Sequence, residues 1–324
     1  MIDTPLRPTT CVWAFPSRPA TELVDAVVHA ERTGIDQFWL GDEGPAREPF
    51  AVLAAAAVRT ERIQLALGIT NPFVRNPALA CTTAQTVAEL SRGRFTLGIG
   101  AGGDLSLGPL HEAAARPLAA VRSMLRIARA VERRESTDGY TPAEHSIHGH
   151  HVPLFVGAKG ERLNRLASEA ADGVFVAGPP PFAYAELLGW ARSVRPVDVV
   201  LTPSVVWTAA ELDECRAQMI VGIRNAPPTI RERLGVDDVS ADRAAEALLA
   251  GDPGPAGSVV SDAIAAEFVL LGTPAEIGGR LADLVAEHRP TTIGLALLRG
   301  DLHESIDRAA AAFDAMRGAL DARG

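Results

Sequence analysis

Two adjacent carboxylates, Asp42 and Glu43, stand where the apolar run Phe38-Trp39-Leu40 gives out into Gly41. A carboxyl group facing a dry cavity has its pKa pushed toward neutrality and can give or take a proton near pH 7. The same pair reads alternatively as a solvated loop in which Glu43 pairs with Arg47, four residues on. A second polar cluster closes the run Ile63-Gln64-Leu65-Ala66-Leu67-Gly68-Ile69. Thr70 and Asn71 offer hydrogen-bonding side chains there, and Pro72 ends the element. Three further turns carry glycine: Gly100-Ala101-Gly102-Gly103-Asp104, Gly157-Ala158-Lys159-Gly160-Glu161 and Ala177-Gly178-Pro179. Glycine lets main-chain N–H groups approach a flat ring or a phosphate. The 157–160 turn runs straight into a helical pattern, so its amides and the helix dipole favour an anion, with Lys159 adding a direct charge.

Other reactive side chains make weaker patterns. His145, His148, His150 and His151 crowd into seven residues. Their spacing matches no zinc motif, no cysteine lies near, and the segment reads as a surface connection, so no metal is assigned. Cys11, Cys81 and Cys215 are scattered, without C-x-x-C spacing, and read as core thiols in a reducing cytoplasm. Trp13, Phe15 and Trp207 fall at strand ends, where they either wall a pocket or pack in the core.

These residues need a scaffold that brings them to one rim. Apolar runs at 9–15, 36–40, 63–69, 94–99, 152–156, 173–176, 197–207 and 292–298 predict eight strands. Helical periodicity falls between them, at 20–33, 49–59, 77–90, 111–134, 161–171, 182–194, 209–225, 275–288 and 302–320. Strand alternating with helix calls for right-handed βαβ units and a parallel sheet. Eight repeats predict a single (β/α)8 TIM barrel over residues 1–324, with a Pro- and Gly-broken helical insertion at about 227–259. The rival is a doubly wound sheet, but the first strand leads into Pro16-Ser17-Arg18-Pro19 instead of a G-x-G-x-x-G turn. In a barrel, function belongs at the carboxyl ends of the strands. Asp42, Glu43, residues 68–71 and all three glycine turns fall at such ends.

Composition narrows the function class. A net charge of -9, with no clustered Lys/Arg run, argues against a nucleic-acid surface. Lysine is nearly absent and arginine carries most of the positive charge. No stretch approaches the roughly 20 apolar residues of a membrane span. Residues 1–10 lack the basic-then-apolar pattern of a secretory leader. A soluble cytoplasmic enzyme acting on a small molecule is the expectation.

Several motifs resemble the luciferase-like superfamily of flavin- and deazaflavin-dependent enzymes. They are Thr33-Gly34-Ile35-Asp36, Trp39-Leu40-Gly41-Asp42-Glu43, Arg59-Thr60-Glu61-Arg62-Ile63, Gly68-Ile69-Thr70-Asn71-Pro72 and Glu89-Leu90-Ser91-Arg92-Gly93-Arg94. Leu97-Gly98-Ile99-Gly100-Ala101-Gly102, Gly157-Ala158-Lys159-Gly160, Ala171-Asp172-Gly173-Val174 and Gly272-Thr273-Pro274 extend the likeness over nearly the whole chain. Within the superfamily the likeness is greatest to coenzyme F-420-dependent methylene-tetrahydromethanopterin reductases and their actinobacterial relatives. The resemblance implies a barrel that binds the deazaflavin F-420 at its strand ends, or FMN as the alternative. It further implies a cis peptide at Gly68-Ile69 backing the tricyclic ring, with Thr70 and Asn71 beside it. Asp42 and the turn Gly100-Ala101-Gly102 would lie near the ring or its side chain. Gly157, Ala158, Lys159, Gly160, Ala177 and Gly178 would hold the phosphate. Many such enzymes carry His directly after the Asp of the second strand, whereas this chain has Glu43. Glu43 is therefore the candidate acid or base, with Asp42 beside it. An F-420-dependent oxidoreductase acting on a C=C or C=N bond is the leading expectation. The rivals are an FMN-dependent monooxygenase and a non-catalytic flavin-binding or partner subunit. The resemblance also implies a homodimer, joined through the apolar helices near 50–58 and 79–90.

Overall fold

The computed structural model describes residues 7–146 and 149–323. His148 and residues 1–6 lie outside the described residues. Among the described residues ten strands run parallel: β1 (Thr9–Ala14), β2 (Gln37–Leu40), β3 (Gln64–Thr70), β4 (Phe95–Gly100), β5 (Leu154–Gly157), β6 (Gly173–Ala177), β7 (Asp198–Thr202), β8 (Ser204–Val206), β9 (Val269–Leu271) and β10 (Thr292–Leu297). Their order is β1-β2-β3-β4-β5-β6-β7-β10-β8-β9, and β10 also pairs with β1, which closes the sheet. β7 and β8 are one path interrupted at Pro203: β10 pairs first with β7 at Thr292 and Ile293, then with β8 at Ala296 and Leu297. The result is a closed barrel of eight parallel staves, as the strand–helix alternation predicts. β9 lies outside it, paired to β8.

A parallel strand with helices behind it and a filled lumen in front is buried on both faces, which is why these runs are almost wholly apolar. Alternate residues divide the two sides. Val12, Phe38, Leu40, Leu65, Leu67, Leu97, Val156 and Val174 pack under the helices in the main core. Cys11, Trp13, Trp39, Ala66, Phe155, Phe175, Val200 and Ala296 form a separate cluster inside the barrel. Trp39 stacks on Phe175 at 4.6 Å with planes 9° apart and meets Phe155 edge-on at 5.6 Å. Each buried aromatic removes roughly 150–250 Å2 from water, so the lumen is a plug and not a pore. All three cysteines are buried and free, and Trp207 belongs to the main core.

Two helices begin or break where the periodicity alone does not say. The helix expected from 111 starts at Pro117 and runs to Arg133. Proline disfavours helical geometry in the residue before it, and Arg116 takes a left-handed φ of 51°. The helix expected over 209–225 is two, Ala209–Arg216 and Met219–Arg224. Arg299 reaches in from the eighth stave to bond the Gln218 side chain and the Glu214 carbonyl, and Gln218 N turns to Cys215 O instead. Four more helices follow before β9: Pro228–Leu234, Asp238–Leu249, Gly254–Val259 and Asp262–Phe268. They share an apolar cluster with Met219–Arg224 that includes Cys215, Ile220, Ile223, Ala245, Val260 and Phe268.

Among the described residues no helix is long and apolar enough to cross a membrane, and no cluster of three His, Cys, Asp or Glu is placed to hold a metal. His151 instead pairs with Glu132 at 2.9 Å.

Candidate active site

The polar residues at the strand ends meet in three small groups. Asp42, directly after β2, is almost completely buried. Thr70 at the end of β3 donates its hydroxyl to Asp42 Oδ2 at 2.7 Å, and Arg75 lies 3.1 Å from Oδ1. Arg75 also pairs with Glu48 at 3.1 Å and lies over the Phe50 ring. Burial pushes the Asp42 pKa up, while the Thr70 hydroxyl and Arg75 guanidinium oppose it and Glu48 reinforces it. Both Asp42 oxygens are thus engaged by protein groups. The carboxylate ties the loop after β2 to the loop after β3. Asn71, likewise buried, turns its Oδ1 back onto the amides of Phe73 and Val74 at 3.0 and 3.2 Å. Thr70 and Asn71 therefore shape the rim from below.

Glu43 sits one residue further out and is half-buried. It does not pair with Arg47, whose guanidinium donates to Ser17 O at 3.2 Å. Its partner is Ser106, whose Oγ lies 3.2 Å from Glu43 Oε2 and 3.2 Å from Asp42 O. One hydroxyl proton serves both contacts. When Glu43 is ionised, Ser106 donates to it; when Glu43 is protonated, the carboxyl donates to Ser106, which donates onward to the Asp42 carbonyl. The arrangement satisfies either state. The Glu43 pKa is pushed up to about 7, by burial first, with the Asp42 charge adding to the rise and Ser106 and Lys159 pulling it down.

Lys159, after β5, is the only lysine in the sequence. Burial lowers its pKa, and the carboxylates of Glu43 and Asp104 counter that effect. The helix that follows, Glu161–Ala170, starts at Gly160 with no side chain capping its first turn. Asn164, fully buried, holds the preceding turn by donating to Gly160 O at 3.0 Å and Ala158 O at 3.4 Å.

The glycines differ in what surrounds them. The Gly68-Ile69 peptide is cis, as expected from the resemblance, and the β3–β4 register shifts there between Leu67 and Thr70. Ile69 is turned into the barrel. A Cβ on Gly100 would overlap Ile69 Cδ1, and one on Gly157 would lie 2.8 Å from the same atom. The space a side chain would take at Gly100 and Gly157 is therefore filled by Ile69, which leaves only their backbone to face a ligand. Gly160 and Gly178 differ, since a Cβ on either would meet nothing within 4 Å. Gly102 needs its glycine for backbone reasons, with φ of 74° beside Asn71 and Leu107. Ala101, Ala158 and Ala177 are half-buried at the same rim.

The top of the lumen is an apolar floor. Phe15, Ile69, Ala177 and Leu298 are the partly exposed residues resting on the interior aromatics. Trp13 braces it by donating Nε1 to Gly68 O at 2.5 Å. Ser106, Arg75 and Asn164 were not singled out by sequence reasoning.

Residues 8–290 match the family model described as luciferase-like monooxygenase. The chain is 29% identical over 246 residues to 5,10-methylenetetrahydromethanopterin reductase of Archaeoglobus fulgidus, covering 70% of this chain and 74% of that one. It is 30% identical over 264 residues to the F-420-dependent glucose-6-phosphate dehydrogenase of Beutenbergia cavernae, covering 70% and 76%. Among solved structures, the coenzyme F-420-dependent tetrahydromethanopterin reductase of Methanopyrus kandleri superposes with a TM-score of 0.77 at 21% identity, over 94% of this chain and 97% of that one. The oxygenating constituent of a type II Baeyer–Villiger monooxygenase of Pseudomonas putida, in complex with FMN, superposes at 0.62 with 18% identity, over 95% and 96%. These two structures share the fold.

Proposed function

This chain belongs to the luciferase-like monooxygenase family, and on that premise we propose that it is a coenzyme F-420-dependent oxidoreductase acting on a small organic substrate with a C=C or C=N bond. The observation that carries the reading is Glu43: a half-buried carboxyl at the barrel mouth, with a serine partner suited to both of its protonation states, and burial there pushes its pKa up to about 7. The likeness to F-420-dependent enzymes over most of the chain supports the choice of cofactor.

The residues fit the group. The floor of Phe15, Ile69, Ala177 and Leu298 suits one face of a tricyclic ring, and the cradle at Gly160 and Gly178 has room where a side chain would stand. The uncapped first turn of Glu161–Ala170 offers free amides for a phosphate, joined by the backbone of Gly157 and Ala158 and the charge of Lys159. When bound, F-420 supplies or accepts hydride. The chain's own part is proton management and orientation. Glu43, neutral below about pH 7, donates its proton to the substrate atom that gains negative character, and Ser106 then donates to the resulting carboxylate. Asp42 holds the two loops in register. The aromatic plug beneath denies water access from below.

Titrating the purified apo-protein with F-420 and with FMN tests the reading. F-420 should bind more tightly, and turnover should consume no oxygen, because a deazaflavin does not activate it. Tight FMN binding with oxygen uptake would favour the monooxygenase. Binding without turnover by any electron acceptor would favour a non-catalytic relative.

A further inference from the structure

Among the described residues the Glu43 carboxyl has one hydrogen-bond partner, Ser106 Oγ. Ser106 lies on a single helical turn, Asp104–Leu107, with Gly102 and Gly103 before it and Gly108 after it. Within the turn, Ser106 N and Leu107 N both donate to Gly103 O, at 3.0 and 2.9 Å. The polar tie at its leading end comes from far away in sequence. Asn225 Nδ2 donates to Asp104 Oδ2 at 3.2 Å, and Arg224 Nη1 lies 3.5 Å from the same oxygen. Both groups are themselves anchored. The Asn225 amide also donates to Val221 O at 3.0 Å, and Arg224 pairs with Asp242 at 3.0 Å and Glu246 at 3.8 Å on Asp238–Leu249. A continuous polar path therefore runs from the helical region after β8, through Asp104 and its turn, to Glu43.

We propose that Asn225, assisted by Arg224, is a positioning residue for Glu43: by holding Asp104 it seats the Asp104–Leu107 turn so that the Ser106 hydroxyl meets the Glu43 carboxyl. The functional consequence rests on the reading of Glu43 as proton donor. The helical region after β8 thereby sets the orientation, and with it the proton affinity, of the acid. The charged groups facing Glu43 are Asp42 on its own loop and Lys159 after β5, with Asp104 on the Ser106 turn acting on Lys159. Arg75 and Glu48 stand behind Asp42. Asn225 is neutral and exposed, so replacing it leaves all of these charges in place.

The test reads Glu43 directly, without cofactor or substrate. pH-difference infrared spectra of the apo-protein show the carbonyl band of a protonated carboxyl, and the component absent from Glu43→Gln belongs to Glu43. Ser106→Ala removes a bond that favours the ionised form, so the Glu43 midpoint should rise by roughly half to one pH unit. Asn225→Ala should raise it in the same direction, and the double variant should go no further than Ser106→Ala alone. Asn225→Ser, too short to reach Asp104, repeats the measurement should Asn225→Ala not fold. An unmoved midpoint in the Asn225 variants, or two shifts that add in full, would overturn the proposal. Because the spectra need no turnover, a failure of the F-420 reading leaves this result standing, and the reverse also holds.

Discussion

Adjacent carboxylates in this site are given different work by their partners. Asp42 is enclosed by Thr70 and Arg75, whereas Glu43 meets only a hydroxyl and a more distant ammonium. Glu43→Gln should keep cofactor affinity within about twofold and slow turnover by roughly a hundredfold to ten-thousandfold, the scale for loss of a general acid; steady-state kinetics beside a binding titration check both halves. In the wild type, the step that needs a protonated Glu43 should weaken as pH rises through about 7. Stability carries the same sign. Folding raises the Glu43 pKa from 4.5 to about 7, so its penalty is absent below 4.5, grows between 4.5 and about 7 while the unfolded chain is ionised and the fold still holds the proton, and is constant above that. Glu43→Gln should thus stabilise the protein above pH 7 by roughly 3 kcal/mol, seen as a gap between the two urea curves that closes at low pH. Asp42→Ala should behave oppositely. It leaves the buried Thr70 hydroxyl without its acceptor and Arg75 with Glu48 alone, and should cost about 2 kcal/mol of stability while weakening cofactor binding too.

At the scale of elements, the strands were legible because each is buried on both sides and must be apolar, and their ends showed where Thr70, Asn71, Asp42 and the glycine turns would gather. What those glycines do was not legible. Gly100 and Gly157 look like ligand cradles in one dimension, yet in the fold they make room for Ile69. The resemblance supplied the cis bond at Gly68-Ile69, but no periodicity says which way the next side chain turns. Gly157→Ala should therefore destabilise by about 1–3 kcal/mol through overpacking, and most of that loss should vanish on an Ile69→Ala background. A thermal-unfolding cycle of the four proteins decides it, and equal losses on both backgrounds would show that Ile69 is not the obstacle. Ser106 was invisible for a related reason. Its partner Glu43 is 63 positions away, and a serine in an irregular loop carries no pattern. Asn225 and Asp104, 121 apart, share that obscurity.

The whole molecule presents an outer surface as well as a mouth. Leu79 and Val58 are 67% and 65% exposed, on or beside the two apolar helices Pro77–Leu90 and Pro49–Ala57. We propose that a second copy covers them. Sedimentation at micromolar concentration should give a dimer, and Leu79→Glu should shift it toward monomer; a wild-type monomer would remove the proposal. The solitary Lys159 has a consequence of another sort. An endoprotease that cuts only after lysine has one bond to attack, Lys159–Gly160, and that cut divides the barrel into a piece holding β1 to β5 and a piece holding β6 to β10. Cleavage requires the loop to open into the protease, so its rate follows how often the loop is free. A phosphate-bearing ligand lodged at Gly160 should slow the cut several-fold, leaving the chain whole on a gel, whatever reaction the enzyme runs. An unchanged rate at saturating F-420 would move the phosphate away from this loop.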